Sequence, residues 1–274
     1  MVNIARVIPQ PHIRIISPHY DDAPLTFGGY LLEMKKTGAI KAKVMTVVNV
    51  FSRSIYQSRD DKGNRDKSLK RLQFVTGIRL FEDMNCLDMC IGHGCYTYEL
   101  MTEPECLLRG KHWKSGEKFE FPWGNRASFT REDREIYTRV KKAALTWLLE
   151  ERTALLVPMA MKEHIDHVIV REAVFNARKT LGKRVRASIY FGEDQPYTGL
   201  ASPGDWRTAT IFLKKAGCFP VDYAIDSGAK YRMIEKCYPT QVEESYRQGV
   251  LVRAQQLQEA NGARMGLERM YRVG

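Results

Sequence analysis

The sequence predicts an α/β; three-layer α/β/α sandwich with a mainly parallel sheet. Three observations carry that expectation. β-branched apolar runs alternate with amphipathic stretches of helical period along most of the chain. Glycine closes several of the amphipathic stretches, as at Gly38 and Gly182. Two short acidic-histidine runs, Ser17-Pro18-His19-Tyr20-Asp21-Asp22 and His164-Ile165-Asp166-His167, each follow directly on an apolar run. Strand ends of that kind converge at one edge of a sheet, where open α/β folds place their ligands.

Taken in order, Arg14 to Ser17 continues an apolar-rich start and reads as a first buried strand. Asp22 to Gly29 reads as a turn, with Gly28-Gly29 permitting close backbone approach. Tyr30 to Thr37 is expected to be a helix, and Lys41 to Val50, rich in valine, a second strand. Phe51 to Asn64 is polar and reads as a loop near the site. Arg65 to Thr76 has near-helical apolar spacing that Gly77 ends, and Arg79 to Met84 reads as a short third strand. The stretch from about 86 to 130 is rich in glycine and proline and is the least regular. It reads as an insertion or a substrate-covering region, with aromatic Phe119, Phe121 and Trp123.

A helix then runs from Thr130 through Glu151, opened by a cap and early carboxylates. Ala154 to Met159 is the strand that delivers the second acidic-histidine run. His167 to Leu181 is a helix, Arg186 to Phe191 a strand, and Gly192 to Asp205 is turn-rich. Thr208 to Leu213 is apolar, Gly228 to Cys237 is helical, and a long polar helix lies between Val242 and Asn261.

The length of 274 residues suits one domain spanning 1–274 with a sizeable core. An apolar fraction of 44% with 27% charged residues argues against disorder. No apolar run is long enough to span a membrane, and Met1 to Ile16 lacks the features of a secretion signal. The six cysteines form no CxxC pair, so they read as reduced thiols of a cytoplasmic protein. Cys86, Cys90 and Cys95, near His93, have spacings unlike a zinc pair and read as buried thiols. A net charge of +11 would suit an acidic partner, but the basic residues are dispersed and no nucleic-acid motif accompanies them. The expected partner is a small molecule, with neither nucleic acid nor membrane, and the oligomeric state is not specified.

The two acidic-histidine runs carry the chemistry. Neutral imidazole and carboxylate are ligands for Zn²⁺, and Fe²⁺ or Co²⁺ suit the same donors. His19 and Asp22 are three apart on a turn and can meet one metal. Asp21, between them, is left to act as general base on a water whose pKa the metal lowers. In the second run, one of His164 and His167 completes a two-histidine, one-carboxylate site, and the other faces the substrate to stabilise an oxyanion. Asp166 is placed to orient that substrate-facing imidazole and raise its pKa. His12, His93 and His112 read as surface or packing residues.

At these residues the chain resembles the LmbE/PIG-L family of zinc-dependent N-deacetylases. The family's SPHPDDAELGCGG-like motif reads SPHYDDAPLTFGG here, and its HPDH-like motif reads HIDH. Tyr190 to Tyr197 resembles a YEDxPY-like turn, Lys236 to Gln241 a K-x-x-YxSQ-like stretch, and Glu268 to Tyr271 a closing ERF-like segment. The resemblance implies a Rossmann-like fold and hydrolysis of N-acetylglucosaminides. It implies His19, Asp22 and His167 as zinc ligands, Asp21 as general base and His164 as oxyanion stabiliser. Asp166 matches an orienting position, and Arg65 lies near a family arginine that contacts substrate. Three substrate classes follow: thiol-cofactor precursors (a glucosaminide of inositol or malate), glucosaminyl phospholipids, and antibiotic-pathway amino sugars resembling 2′-N-acetylparomamine. The irregular 86–130 region favours the last, a larger aminoglycoside-type substrate. Tyr20 and Ile165 replace the usual prolines, an expectation of looser loops. The rival expectation is a non-catalytic carbohydrate-binding protein.

Overall fold

Alternating side chains of the central strands are apolar on both faces, and each face is covered. The computed structural model describes residues 4–58, 60, 62–111 and 122–274. His112, Phe119 and Phe121 lie outside the described residues. The strands are β1 (His12–Ser17), β2 (Val44–Asn49), β3 (Tyr96–Leu100), β4 (Thr153–Pro158), β5 (Ser188–Gly192), β6 (Cys218–Ala224) and β7 (Leu267–Val273). They form one seven-stranded sheet in the order β3-β2-β1-β4-β5-β7-β6. The first five pair in parallel, and β7 runs antiparallel to both β5 and β6.

The helices are α1 (Ile4–Val7), α2 (Asp22–Lys36), α3 (Leu69–Cys90), α4 (Arg131–Trp147), α5 (Ile165–Leu181), α6 (Pro203–Ala216), α7 (Ser227–Cys237) and α8 (Glu244–Ala260). Strand alternation splits the core in two. Ile13, Ile15, Ala154 and Leu156 pack with Phe27, Leu31, Leu87 and Ile234 of α2, α3 and α7. Ile16, Leu155 and Val157 pack with Val140, Ile169 and Phe212 of α4, α5 and α6. The three-layer expectation holds.

Four local expectations do not. Asp22 to Gly29 is the first half of α2, not a turn. Its glycines serve packing: a Cβ at Gly29 would collide with the Glu268 carboxylate. Pro24 is tolerated because the first turn demands no N–H from it. Arg79 to Met84 is not a strand, since α3 runs through Gly77 to Cys90. The buried stripe of α3 includes Arg79, Glu82 and Asp83, so the apolar period breaks where the helix does not. Asp83 accepts hydrogen bonds from Tyr98 and Tyr238, which offset part of the penalty of its burial and leave its carboxyl raised to about 6.

The third strand is instead Tyr96–Leu100, inside the stretch expected to be irregular. Thr208 to Leu213 belongs to α6. The antiparallel strands β6 and β7 carry charges and Pro220, which hid them. Pro220 is accommodated on the sheet edge, and Asp222 pairs across the ladder with Arg269 through two bonds of 2.5 and 2.7 Å. The predicted cap of α4 is a full capping box between Thr130 and Asp133. No helix among the described residues is long and apolar enough to cross a membrane. All six cysteines are free thiols.

Candidate metal centre

Both acidic-histidine runs leave the carboxyl ends of parallel strands, β1 and β4, which are neighbours in the sheet. The chain proceeds outward from β1 to β2 and β3 on one side and from β4 to β5 on the other. The crevice between β1 and β4 is therefore the switch point where such sheets bind ligands.

The turn after β1 is pinned by its own side chains. Ser17 Oγ donates to the His19 carbonyl (2.6 Å) and accepts from Ala23 N–H (3.0 Å). The His19 N–H donates to Asp22 Oδ2 (2.8 Å). Asp22 opens α2, so its carboxylate also sits at the positive end of the helix dipole. Before the second run, Ala160, Lys162 and Glu163 all adopt φ between 57° and 60°. Left-handed backbone at non-glycine residues is costly and is sustained by surrounding bonds. Asp194 Oδ2 accepts from Met161 N–H (2.9 Å), and Gly124 N–H donates to the Glu163 carbonyl (2.9 Å). Neither expected loop softening is built in. Tyr20 is buried and its hydroxyl donates to the Ser52 carbonyl (2.7 Å), and Ile165 N–H donates to the Pro122 carbonyl (2.8 Å), a bond proline has no hydrogen to make.

These turns bring His19, Asp22 and His167 together. His19 Nδ1 and His167 Nε2 each lie 3.2 Å from Asp22 Oδ2. A tetrahedral site with metal–ligand bonds of 2.0–2.1 Å has donor–donor edges of about 3.3 Å, and both edges from Asp22 Oδ2 match that spacing. The remote nitrogen of each imidazole has its own carboxylate: His19 Nε2 donates to Asp166 Oδ2 (2.9 Å) and His167 Nδ1 to Asp194 Oδ1 (2.7 Å). That second partner fixes which nitrogen faces a metal. His164 is a looser third imidazole, within a group of histidine nitrogens all 4.8 Å or less apart.

The buried charges set the protonation. Burial lowers the pKa of His19, but hydrogen bonds and charge from Asp166 and Asp22 outweigh it and leave the ring at about 9. His167 is likewise pulled down by burial and raised further by Asp22 and Asp194. His164 departs from expectation. Burial holds its pKa well below the usual histidine range, and Asp166 counteracts that only partly. Asp166 orients His19 rather than His164. His164 Nε2 faces Cys106 Sγ at 3.7 Å, and its buried Nδ1 has no partner among the described residues. Asp166 Oδ2 also accepts from Cys106 N–H (3.0 Å), and Oδ1 from Arg109 Nη2 (2.5 Å).

Asp21 is adjacent but separate, as its place in the run predicts. Burial raises its carboxyl to about 7, against the opposing charge of Arg79, whose Nη2 lies 3.3 Å away. These groups line a cavity of about 170 Å³ walled by Tyr56, Trp123, Tyr197 and Tyr246. Glu105, Cys106, Leu107 and Trp123, from the stretch expected to be irregular, form part of that wall. The structure does not bring Arg65 there: it lies on an exposed turn outside the cavity lining. Arg79 is the cavity's guanidinium. It was hidden by being taken for a strand residue. Asp194 was present in the Tyr190–Tyr197 segment but had no role there, and only the fold brings it to His167.

No protein-family model and no curated protein matches the chain. Solved structures do. The zinc-inhibited form of teicoplanin deacetylase Orf2 matches with a TM-score of 0.64 at 18% identity, over 96% of this chain and 98% of that one. N,N′-diacetylchitobiose deacetylase from Pyrococcus horikoshii matches at 0.55 and 13% identity, over 97% and 86%. The 4-carboxy-2-hydroxymuconate hydratase GalB from Pseudomonas putida matches at 0.53 and 16% identity, over 96% and 96%. The chain has the α/β fold that these enzymes share.

Proposed function

We propose that the chain is a metal-dependent N-deacetylase of the LmbE/PIG-L type that hydrolyses the acetamide of an N-acetylglucosamine-containing substrate. The observation that carries the proposal is the His19–Asp22–His167 triangle with Asp21 beside it. These three side chains would hold the ion, Zn²⁺ first and Fe²⁺ or Co²⁺ as other fits. When bound, the ion polarises the amide carbonyl and acidifies a water. Asp21 takes the proton from the attacking water and returns it to the departing amine, and its raised pKa suits both transfers. His164 lines the same cavity and offers a hydrogen bond to the developing oxyanion. Asp166 and Asp194 keep His19 and His167 in their metal-facing tautomers.

The substrate class follows from the cavity wall. Four aromatic side chains suit the apolar faces of a sugar ring, and Trp123 and Tyr197 meet edge to face at 5.8 Å. Together with the teicoplanin deacetylase likeness, this favours an antibiotic-pathway amino sugar over a thiol-cofactor precursor. The test is release of primary amine from a panel of N-acetylglucosaminides, including an N-acetylated aminoglycoside pseudodisaccharide, with zinc-loaded and chelated protein. Chelator-sensitive release supports the proposal. No release from any member, with metal bound, overturns it and turns attention to a hydratase, which the GalB likeness suggests, assayed by water addition to an unsaturated acid.

A further inference from the structure

The outer face of α3 carries an exposed seam that the site does not use. Lys70, Phe74, Gly77, Phe81, Met84 and Asp88 follow one another at spacings of four, three, four, three and four residues. That is the 3.5-residue period of a coiled-coil seam, distinct from the buried stripe on the helix's other side. Phe74 and Phe81 are 59% and 67% exposed, and Met84 is exposed beside them. At about 150–250 Å² per aromatic ring, the two leave about 250 Å² in water. With Met84 the stripe approaches the largest apolar patch usual on a monomer, about 300–600 Å².

The seam is complementary to its own reverse. A two-fold axis at the level of Arg79 places Lys70 opposite the partner subunit's Asp88, Phe74 opposite the partner's Met84, and Gly77 opposite the partner's Phe81. The first match is an ion pair, the second a sulfur–aromatic contact, and the third a ring set into a gap. Gly77 is exposed and a Cβ there would meet nothing within 4 Å, so the gap serves nothing inside the subunit. Lys70 is exposed, with no ion pair shown among the described residues, while the partly exposed Asp88 carboxylate accepts from the Tyr96 hydroxyl at Oδ1 and meets the exposed His93 at Oδ2 (3.0 Å each), so Lys70 of a second copy would take the place of His93. We infer that the protein forms a two-fold dimer through antiparallel contact of α3 with α3 of a second copy. Such an interface is isologous, so each contact occurs twice.

Sedimentation velocity on the full chain at micromolar concentrations tests this. The wild type is expected at twice the chain mass. Lys70→Glu alone turns two attractions into two repulsions and raises the dimer Kd by about tenfold, and adding Asp88→Lys restores it. Gly77→Leu improves helix propensity and fills open space, so the monomer folds at least as stably, yet the dimer is lost. A monomeric wild type overturns the inference. So does a dimer that Gly77→Leu and Lys70→Glu leave intact, because its interface then lies elsewhere.

Discussion

Replacing Arg109 by methionine tests whether the chain of buried charges behind His19 tunes the metal site. The Arg109 side chain has no solvent exposure and joins Asp133 Oδ1 (2.9 Å) to Asp166 Oδ1 (2.5 Å). Asp166 in turn fixes His19. Burial raises the Asp166 pKa, but Arg109 and then His19 overcome it and hold the carboxyl well below its usual range. Removing the guanidinium leaves Asp166 buried without that compensation, a loss of about 3–5 kcal/mol for a broken buried pair. Lys111 Nζ remains 3.3 Å from Asp133, so the lower end of that range is expected. On the proposed role of His19 as a metal ligand, Asp166 is the partner that orients its imidazole, which predicts metal affinity weaker by about 10–100-fold. Urea unfolding reads the first quantity and competition with a chromophoric chelator the second. A stability loss below about 1 kcal/mol, together with a metal Kd within threefold of wild type, would refute the reasoning.

Three further outcomes follow. His19 rises from 6.5 to about 9 in the folded metal-free protein, so its stabilisation is complete below pH 6.5 and is lost as pH climbs through 9. The full shift is worth about 3 kcal/mol, present below pH 6.5 and gone above pH 9, and thermal unfolding of chelated protein across that window checks it; a flat profile contradicts it. Because Asp21 must be ionised to act, activity should rise with pH along a limb at or below 7, the bound cation's charge drawing its pKa down from about 7; Asp21→Glu should move the limb, and an unmoved one assigns it to another group. Trp123→Ala should raise KM for an amino-sugar substrate by about 2–13-fold through lost ring contact, and unchanged KM excludes Trp123 from substrate binding.

The parallel half of the fold was legible because fully buried strands are apolar runs and because caps mark their helices. Val44–Asn49 and Thr153–Pro158 fell where valine- and leucine-rich segments placed them. The antiparallel strands were not legible, since Asp222, Arg269 and Pro220 break the apolar alternation, and only the fold shows Asp222 pairing with Arg269 across the ladder and Pro220 lying on the edge strand. Of the candidate site, the side chains of His19, Asp21, Asp22, His164 and His167, which the fold brings together, were legible as two local runs. Arg79, Arg109 and Asp194 were not, because each meets a partner at least 27 residues away in sequence, and only the folded chain brings those residues together. The family resemblance points to Arg65 as the substrate-contacting arginine, whereas helix α3 turns Arg79 inward to the cavity.

The most direct test of the account compares wild type with Asp21→Asn, measuring metal content and the rate of amine release from the best N-acetylglucosaminide in the panel. The account predicts equal metal stoichiometry and turnover lower by about 10²–10⁴-fold. Asp21→Asn protein that holds metal and still releases amine at a wild-type rate would contradict it.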